Sequence, residues 1–139
     1  MSWTLKKAEK KDFHRINELF VEMLQTIYQT EQVNGYPEGA LDRFFDGRDE
    51  WISIAVDQGE IVAFLSIEVH HEAEPFLYLD DFSVTKQYRG QGIGTALLFR
   101  CLEAMRDEGY GYAIIGDVGP AVFYEKTVGA QIIENSTPG

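Results

Sequence analysis

Apolar residues at Phe13, Ile16, Leu19, Phe20, Met23, Leu24 and Ile27 recur at the three- and four-residue spacing of one helical stripe, and Asp12 stands where an N-cap belongs. An amphipathic helix is predicted there, preceded by a short strand from Ser2 to Lys7. Tyr28 to Glu38 is polar and carries Asn34-Gly35 and Pro37, so a loop should lead to a short second helix near Leu41 to Phe45. Trp51 to Val56 and Ile61 to Val69 are rich in β-branched residues and joined by Asp57-Gln58-Gly59-Glu60, a hairpin signal. A second turn, His71 to Pro75, leads into a third strand, Phe76 to Val84. A glycine-rich turn follows, and then Ile93, Ala96, Leu97, Cys101, Leu102 and Met105 mark a long helix that Gly109 stops. Tyr112 to Ile115 reads as a short strand, Pro120 opens a last helix running to about Lys126, and Ala130 to Glu134 is a final strand. The order β-α-α-β-β-β-α-β-α-β predicts an α/β fold, a mixed, mostly antiparallel sheet flanked by helices.

At 139 residues the chain has room for one domain, spanning 1–139. Twelve Lys and Arg against 23 Asp and Glu leave a net charge of −11, a field that repels phosphate backbones and anionic membranes. No nucleic-acid or membrane partner is expected. Lys6, Lys7, Lys10, Lys11 and Arg15 hold five of the cations, so from residue 16 onward seven cations face 21 acids, a body that attracts a cationic or amine ligand.

The single cysteine, Cys101, excludes an internal disulfide and a multi-thiolate metal site and fits a reducing compartment. Its place on the stripe with Leu97 and Met105 makes it a buried core thiol. The N-terminus MSWTLKKAEKKDF lacks the apolar core of a signal peptide, and no apolar run approaches the ~18 residues of a membrane span, so a cytoplasmic location is expected. His70, His71, Glu72 and Glu74 fall in a predicted turn with no spaced second pair of ligands, and no metal is expected.

Chemistry gathers around Gln87-Tyr88-Arg89-Gly90-Gln91-Gly92-Ile93-Gly94, between a strand and a long helix. Glycines there permit a tight turn and close approach of backbone to a ligand, and the first N–H groups of the helix point in the favourable direction for an anion. A bare strand-to-helix connection would use the same residues. A Rossmann turn needs a third glycine where Thr95 stands, and a Walker loop needs Gly-Lys-Ser/Thr, which is absent.

The run Gln87-x-x-Gly90-x-Gly92 does resemble the Gln/Arg-x-x-Gly-x-Gly/Ala signature of the GNAT superfamily of N-acetyltransferases. Tyr78-Leu79-Asp80-Asp81-Phe82-Ser83-Val84 is similar to that family's central strand, and Phe123-Tyr124-Glu125-Lys126 with Gly129-Ala130 to its C-terminal tyrosine helix and following strand. With the element order, the resemblance covers nearly the whole chain. It implies the GNAT acyl-CoA N-acyltransferase fold and acetyl-CoA as cosubstrate, its pyrophosphate held by the turn at Arg89, Gly90, Gln91, Gly92, Ile93 and Gly94. It implies pantetheine pairing along Phe82, Ser83 and Val84, with the Val84 N–H facing the thioester oxygen, and Tyr124 as general acid toward the leaving thiolate. It also implies that Asp80 lies near the acceptor amine.

Adjacent residues on a regular strand point to opposite faces, so only one of Asp80 and Asp81 should face the site. Asp80 either positions the amine or passes its proton to water; a turn-side or solvated pair is the other reading. The same resemblance implies that the loop Tyr28 to Glu38, with Glu31, Tyr36 and Glu38, and the following Asp42 shape the acceptor pocket, together with Asp81. The function expected is transfer of an acetyl group from acetyl-CoA to the primary amine of a small cationic acceptor, by direct attack in a ternary complex. Alternatives are a non-catalytic acyl-CoA-binding sensor, since fold does not fix function, and a protein or peptide N-acetyltransferase. Asp117 departs from the Asn common seven residues before the tyrosine. The chain also stops soon after Glu134, where many relatives add a strand, leaving a sheet edge that a second subunit could cover in a homodimer.

Overall fold

The computed structural model describes residues 3–47 and 49–115. The expected helix at Pro120 to Lys126, the strand at Ala130 to Glu134, the sheet edge beyond it, and Asp117 and Tyr124 lie outside the described residues. Within them, β1 (Thr4–Lys7), α1 (Phe13–Tyr28), α2 (Asp42–Asp46), β2 (Glu50–Asp57), β3 (Glu60–His70), β4 (Phe76–Val84), α3 (Ile93–Asp107) and β5 (Tyr112–Ile115) follow in order. Two 3₁₀ turns, Lys10–Asp12 and Lys86–Tyr88, precede α1 and the glycine turn. The strands form one sheet in the order β1-β2-β3-β4-β5, antiparallel except for the β4–β5 pair.

The hydrophobic period explains which face each element buries. Ile16 and Leu19 of α1, with Leu41 and Phe44 at α2, pack on Ile52, Ile54, Ile61 and Phe64. On the opposite face, Leu97, Leu98 and Cys101 of α3 cover Leu65, Ile67, Leu77 and Leu79 and the smaller Ala55, Val62 and Ala63. Every residue from Ile61 to Ile67 is therefore buried, as befits a central strand covered on both sides. Full burial of each Leu, Ile or Phe is worth about 1.5–3 kcal/mol. Among the described residues no helix is long and apolar enough to cross a membrane.

Asp12 occupies the N-cap position of α1 as expected, and its carboxylate accepts from the Glu9 N–H at 2.8 Å, closing the preceding 3₁₀ turn. One local expectation is corrected. β4 is not a regular strand. Leu65 pairs with Phe82 but Ile67 pairs with Leu79, so Ser66 stands opposite both Asp80 and Asp81, a β-bulge. Leu79 and Phe82 consequently both pack on the α3 face, an odd number of residues apart.

The β2–β3 hairpin turns at Gln58 and Gly59, with φ of 51° and 78°. Asparagine tolerates the left-handed region better than glutamine, so Gln58→Asn should raise stability by a few tenths to about 1 kcal/mol. Urea denaturation measures this; a lower midpoint would mean that the Gln58 side chain makes a contact worth more than the backbone relief.

Candidate active site at the end of β4

The parallel β4–β5 register runs from Phe76↔Tyr112 to Leu79↔Ile115, and β4 continues past it to Val84. The Thr85 N–H donates to the Val62 carbonyl of β3 at 2.9 Å. Successive residues of a strand turn their amides to opposite sides, so Phe82 and Val84 turn theirs away from β3, toward the β5 side. The chain then winds through the 3₁₀ turn and reaches Gly90 and Gly92, with φ of 81° and 84°. Gly92 is the N-cap of α3 and has no side chain with which to cap the first N–H groups of that helix, the groups that favour an anion. A Cβ at either glycine would meet nothing within 4 Å; the backbone conformation, not crowding, is what requires glycine.

Three side chains, Glu22, Tyr88 and Arg89, fix this turn through contacts that the sequence pattern does not reveal. Glu22 of α1 accepts from the Thr85 hydroxyl at 2.9 Å and from the Lys86 N–H at 2.8 Å. The Tyr88 hydroxyl donates to buried Asp57 at 2.6 Å, tying the turn to the β2–β3 hairpin; that bond raises the phenol pKa. Arg89, which the resemblance places at the pyrophosphate, donates from Nε to the Val84 carbonyl at 2.9 Å, with Nη2 3.8 Å from Glu22. Beside the turn lies an open cleft of about 450 Å³, lined in part by Arg15, Glu22, Glu60, Thr85 and Tyr88.

The bulge decides how the carboxylates face. Two residues, Asp80 and Asp81, separate Leu79 and Phe82 on the α3 face, so both turn toward the α1 and α2 side, contrary to the alternation expected of a regular strand. The Asp81 N–H donates to Ser66 Oγ at 2.9 Å, and the Asp81 carboxylate accepts from the Tyr36 hydroxyl. Tyr36 stacks on Phe20 with ring centroids 3.8 Å apart, and its N–H donates to Asn17 Oδ1 at 2.7 Å. The α1–α2 loop is thus pinned to α1 and to the bulge at one residue. Burial, then the charge and hydrogen bond of Asp81, then the charge of Asp80 push the Tyr36 pKa far above its ordinary value. Asp80 also faces Arg43, which bonds Glu50 and Glu68 at 3.1 Å each. Burial lowers the Arg43 pKa, but the bond to Glu68 and the charges of Glu68, Glu50 and Asp80 outweigh it and raise it.

The structure therefore brings Tyr36, Asp80 and Asp81 together on one side of β4 and Phe82 to Gly94 along its end, while Glu31 is exposed. Glu31 meets α1 through its carbonyl, which accepts from Gln25 at 3.4 Å. His70 ends β3, stacked on Phe76 and 3.3 Å from Glu68, and His71 lies 3.0 Å from Asp49. Among the described residues no group of three or more His, Cys, Asp or Glu is disposed to hold a metal. Cys101 is buried, which pushes its thiol up to about 12.

Residues 13–129 match the model of the family described as Acetyltransferase (GNAT) family. No curated protein matches the chain. Similar solved structures include a glucosamine-6-phosphate N-acetyltransferase from Arabidopsis thaliana, at 21% identity over 100% of this chain and 98% of that one, with a TM-score of 0.74. A ribosomal-protein-alanine N-acetyltransferase from Brucella melitensis biovar Abortus 2308 is 15% identical over 98% and 96%, with a TM-score of 0.76. An aminoglycoside acetyltransferase from an uncultured soil metagenomic sample is 15% identical over 94% and 91%, with a TM-score of 0.74. At these identities the likeness is one of fold.

Tyr36 has a measurable signature. Its raised pKa means that above pH ~10 the unfolded chain releases a phenol proton that the folded chain keeps. That contribution is full below pH ~10 and is lost as pH rises, at up to ~1.4 kcal/mol per unit. Tyr36→Phe should flatten the fall in stability above pH ~10 relative to wild type. At pH 7 it should cost about 1–3 kcal/mol, because Asp81 loses a donor. Urea titrations of both proteins across pH 7 to 11 check this; parallel curves would mean that Tyr36 is solvated.

Proposed function

Because the chain belongs to the GNAT acetyltransferase family, we propose that it moves the acetyl group of acetyl-CoA to the primary amine of a small, cationic acceptor, within a single domain spanning 1–139. One observation carries the reading. The Val84 N–H turns away from β3 beyond the last described β4–β5 pair, and the strand leads directly to the start of α3, where Gly92 supplies no side-chain cap. An extended amide-bearing arm fits the strand edge, and a diphosphate fits the helix start.

When bound, acetyl-CoA supplies the activated acetyl group. The neutral acceptor amine would attack the thioester carbon; the C–N bond would form as the C–S bond breaks, the nitrogen's proton would pass to water, and the sulfur would leave as a thiol with a proton that Tyr124 gives and regains from solvent. The residues assigned here act on those charges. The Val84 N–H donates to the carbonyl oxygen as negative charge develops on it. Tyr124 lends its phenol proton to the departing sulfur, a role taken from the family resemblance. Asp80 orients the amine: an ordinary carboxylate is too weak a base to strip an ammonium of pKa ~10 efficiently, but its charge holds a cation in place. The net charge of −11 supports a cationic acceptor over an anionic one.

Calorimetry should detect acetyl-CoA binding, and a turnover screen over polyamines, aminoglycosides, amino acids and basic peptides should find the acceptor. Tyr124→Phe should lower kcat by ~10²–10⁴-fold with acetyl-CoA affinity unchanged, as expected of a proton donor acting only in the transition state. Wild-type turnover in that variant would move the acid role to water. Asp80→Asn should raise KM for a diamine more than for a monoamine of similar size, and kcat/KM for the best acceptor should fall as salt rises. A flat salt profile with a neutral Asp80→Asn would leave the acidity of the chain without a part in recognition.

A further inference from the structure

Arg89 and the Val84 carbonyl occupy each other on the edge of β4 that faces away from β3, at a distance of 2.9 Å. The same guanidinium reaches toward Glu22, 3.8 Å from its carboxylate. Glu22 belongs to α1, yet its carboxylate holds the first two residues after β4 through the Thr85 hydroxyl and the Lys86 N–H. A negative charge thus stands at the approach to a helix start that favours anions, with the Arg89 guanidinium 3.8 Å from it.

We propose that Glu22 is a positioning residue of the acyl-CoA site, fixing the 3₁₀ turn and, with the Val84 carbonyl, retaining Arg89 until a phosphate anion takes the guanidinium over. The inference rests on the acyl-CoA reading above. Retention is weak by design of the chemistry: the side chains of Arg89 and Glu22 are 45% and 31% exposed, so water screens the pair and the ion pair alone is worth no more than ~1 kcal/mol. A diphosphate offers a fuller charge and several acceptor oxygens, so exchange runs toward the ligand. Transfer of Arg89 also uncovers the Val84 carbonyl on the edge along which an extended arm would lie.

Glu22→Gln separates this role from plain scaffolding. Glutamine keeps an acceptor oxygen for the Lys86 N–H, and the Thr85 hydroxyl can turn to accept from its amide, so the turn is held while the charge beside Arg89 is gone. Calorimetry with CoA should then show affinity about two- to fivefold higher than wild type, the size of an exposed ion pair. S-acetylpantetheine, which carries no phosphate, should gain nothing from the substitution. The gain should vanish in the double variant Glu22→Gln, Arg89→Met, and in wild type the NMR signal of the Arg89 Nε–H should shift when CoA is added.

Weaker or unchanged CoA binding by folded Glu22→Gln would make Glu22 a scaffold only and overturn the proposal. A gain that survives without Arg89 would reduce it to a general charge effect and overturn it equally. Should Glu22→Gln not fold, the wild-type Arg89 signal decides: a signal unmoved by saturating CoA overturns retention and release. Wild-type protein that binds neither CoA nor S-acetylpantetheine removes the acyl-CoA reading and the inference together, whereas binding without the Arg89 response removes the inference alone.

Discussion

Ser66 of β3 faces two residues of β4, and its hydroxyl takes the Asp81 N–H at 2.9 Å. The candidate site depends on this one bulge. Without the extra residue, Phe82 would leave the α3 face, where it packs with the core of Leu65, Leu79 and Leu98, and Asp80 and Asp81 would point to opposite sides of the sheet. With it, the strand keeps its apolar side against α3 before and after the break and presents two carboxylates on the other side. A bulge also bends a strand and sharpens its twist, which suits the point where β4 passes its last described pair with β5.

Helix α1 is the second organiser, because its core stripe leaves its other positions available. Asn17 and Phe20 hold Tyr36, and through it the α1–α2 loop, against the carboxylates. Two residues further along, Glu22 holds the start of the glycine turn. Ile16 and Leu19, fully buried against the sheet, keep the helix from sliding. One helix therefore sets the spacing between the proposed amine side and the proposed anion side, and a substitution that tilts it disturbs both at once.

The charge pattern is more structured than the net value suggests. Arg43 lies between Glu50 and Glu68 and faces Asp80, so the acidic side of β4 carries its own counter-ion. Tyr36 places a neutral donor on Asp81 without adding charge. A cation arriving at this face meets carboxylates whose positions are already held by hydrogen bonds, which lowers the cost of ordering them around a ligand.

Local pattern determined the elements. Period-3.6 stripes place Ile16 and Leu19 of α1 and Leu97 and Cys101 of α3 in the core, and all four are buried; the hairpin at Gln58-Gly59 and the strand at Tyr112–Ile115 were equally legible. The glycine turn could be read because a left-handed backbone selects glycine directly, residue by residue. The faces of Asp80 and Asp81 could not, because a bulge is a property of the β3–β4 pairing and leaves no period in either strand alone. Glu22 with Lys86, Tyr36 with Asp81 and Tyr88 with Asp57 stand 64, 45 and 31 residues apart, joined only once the sheet and α1 bring them together. Side-chain hydrogen bonds across such separations have no local signature, since any polar residue on the solvent flank of a helix or in a loop reads the same until its neighbour is known. Hydrophobic burial, which repeats along the chain, was therefore written in the sequence, while the polar contacts that aim the site were decided by the tertiary fold.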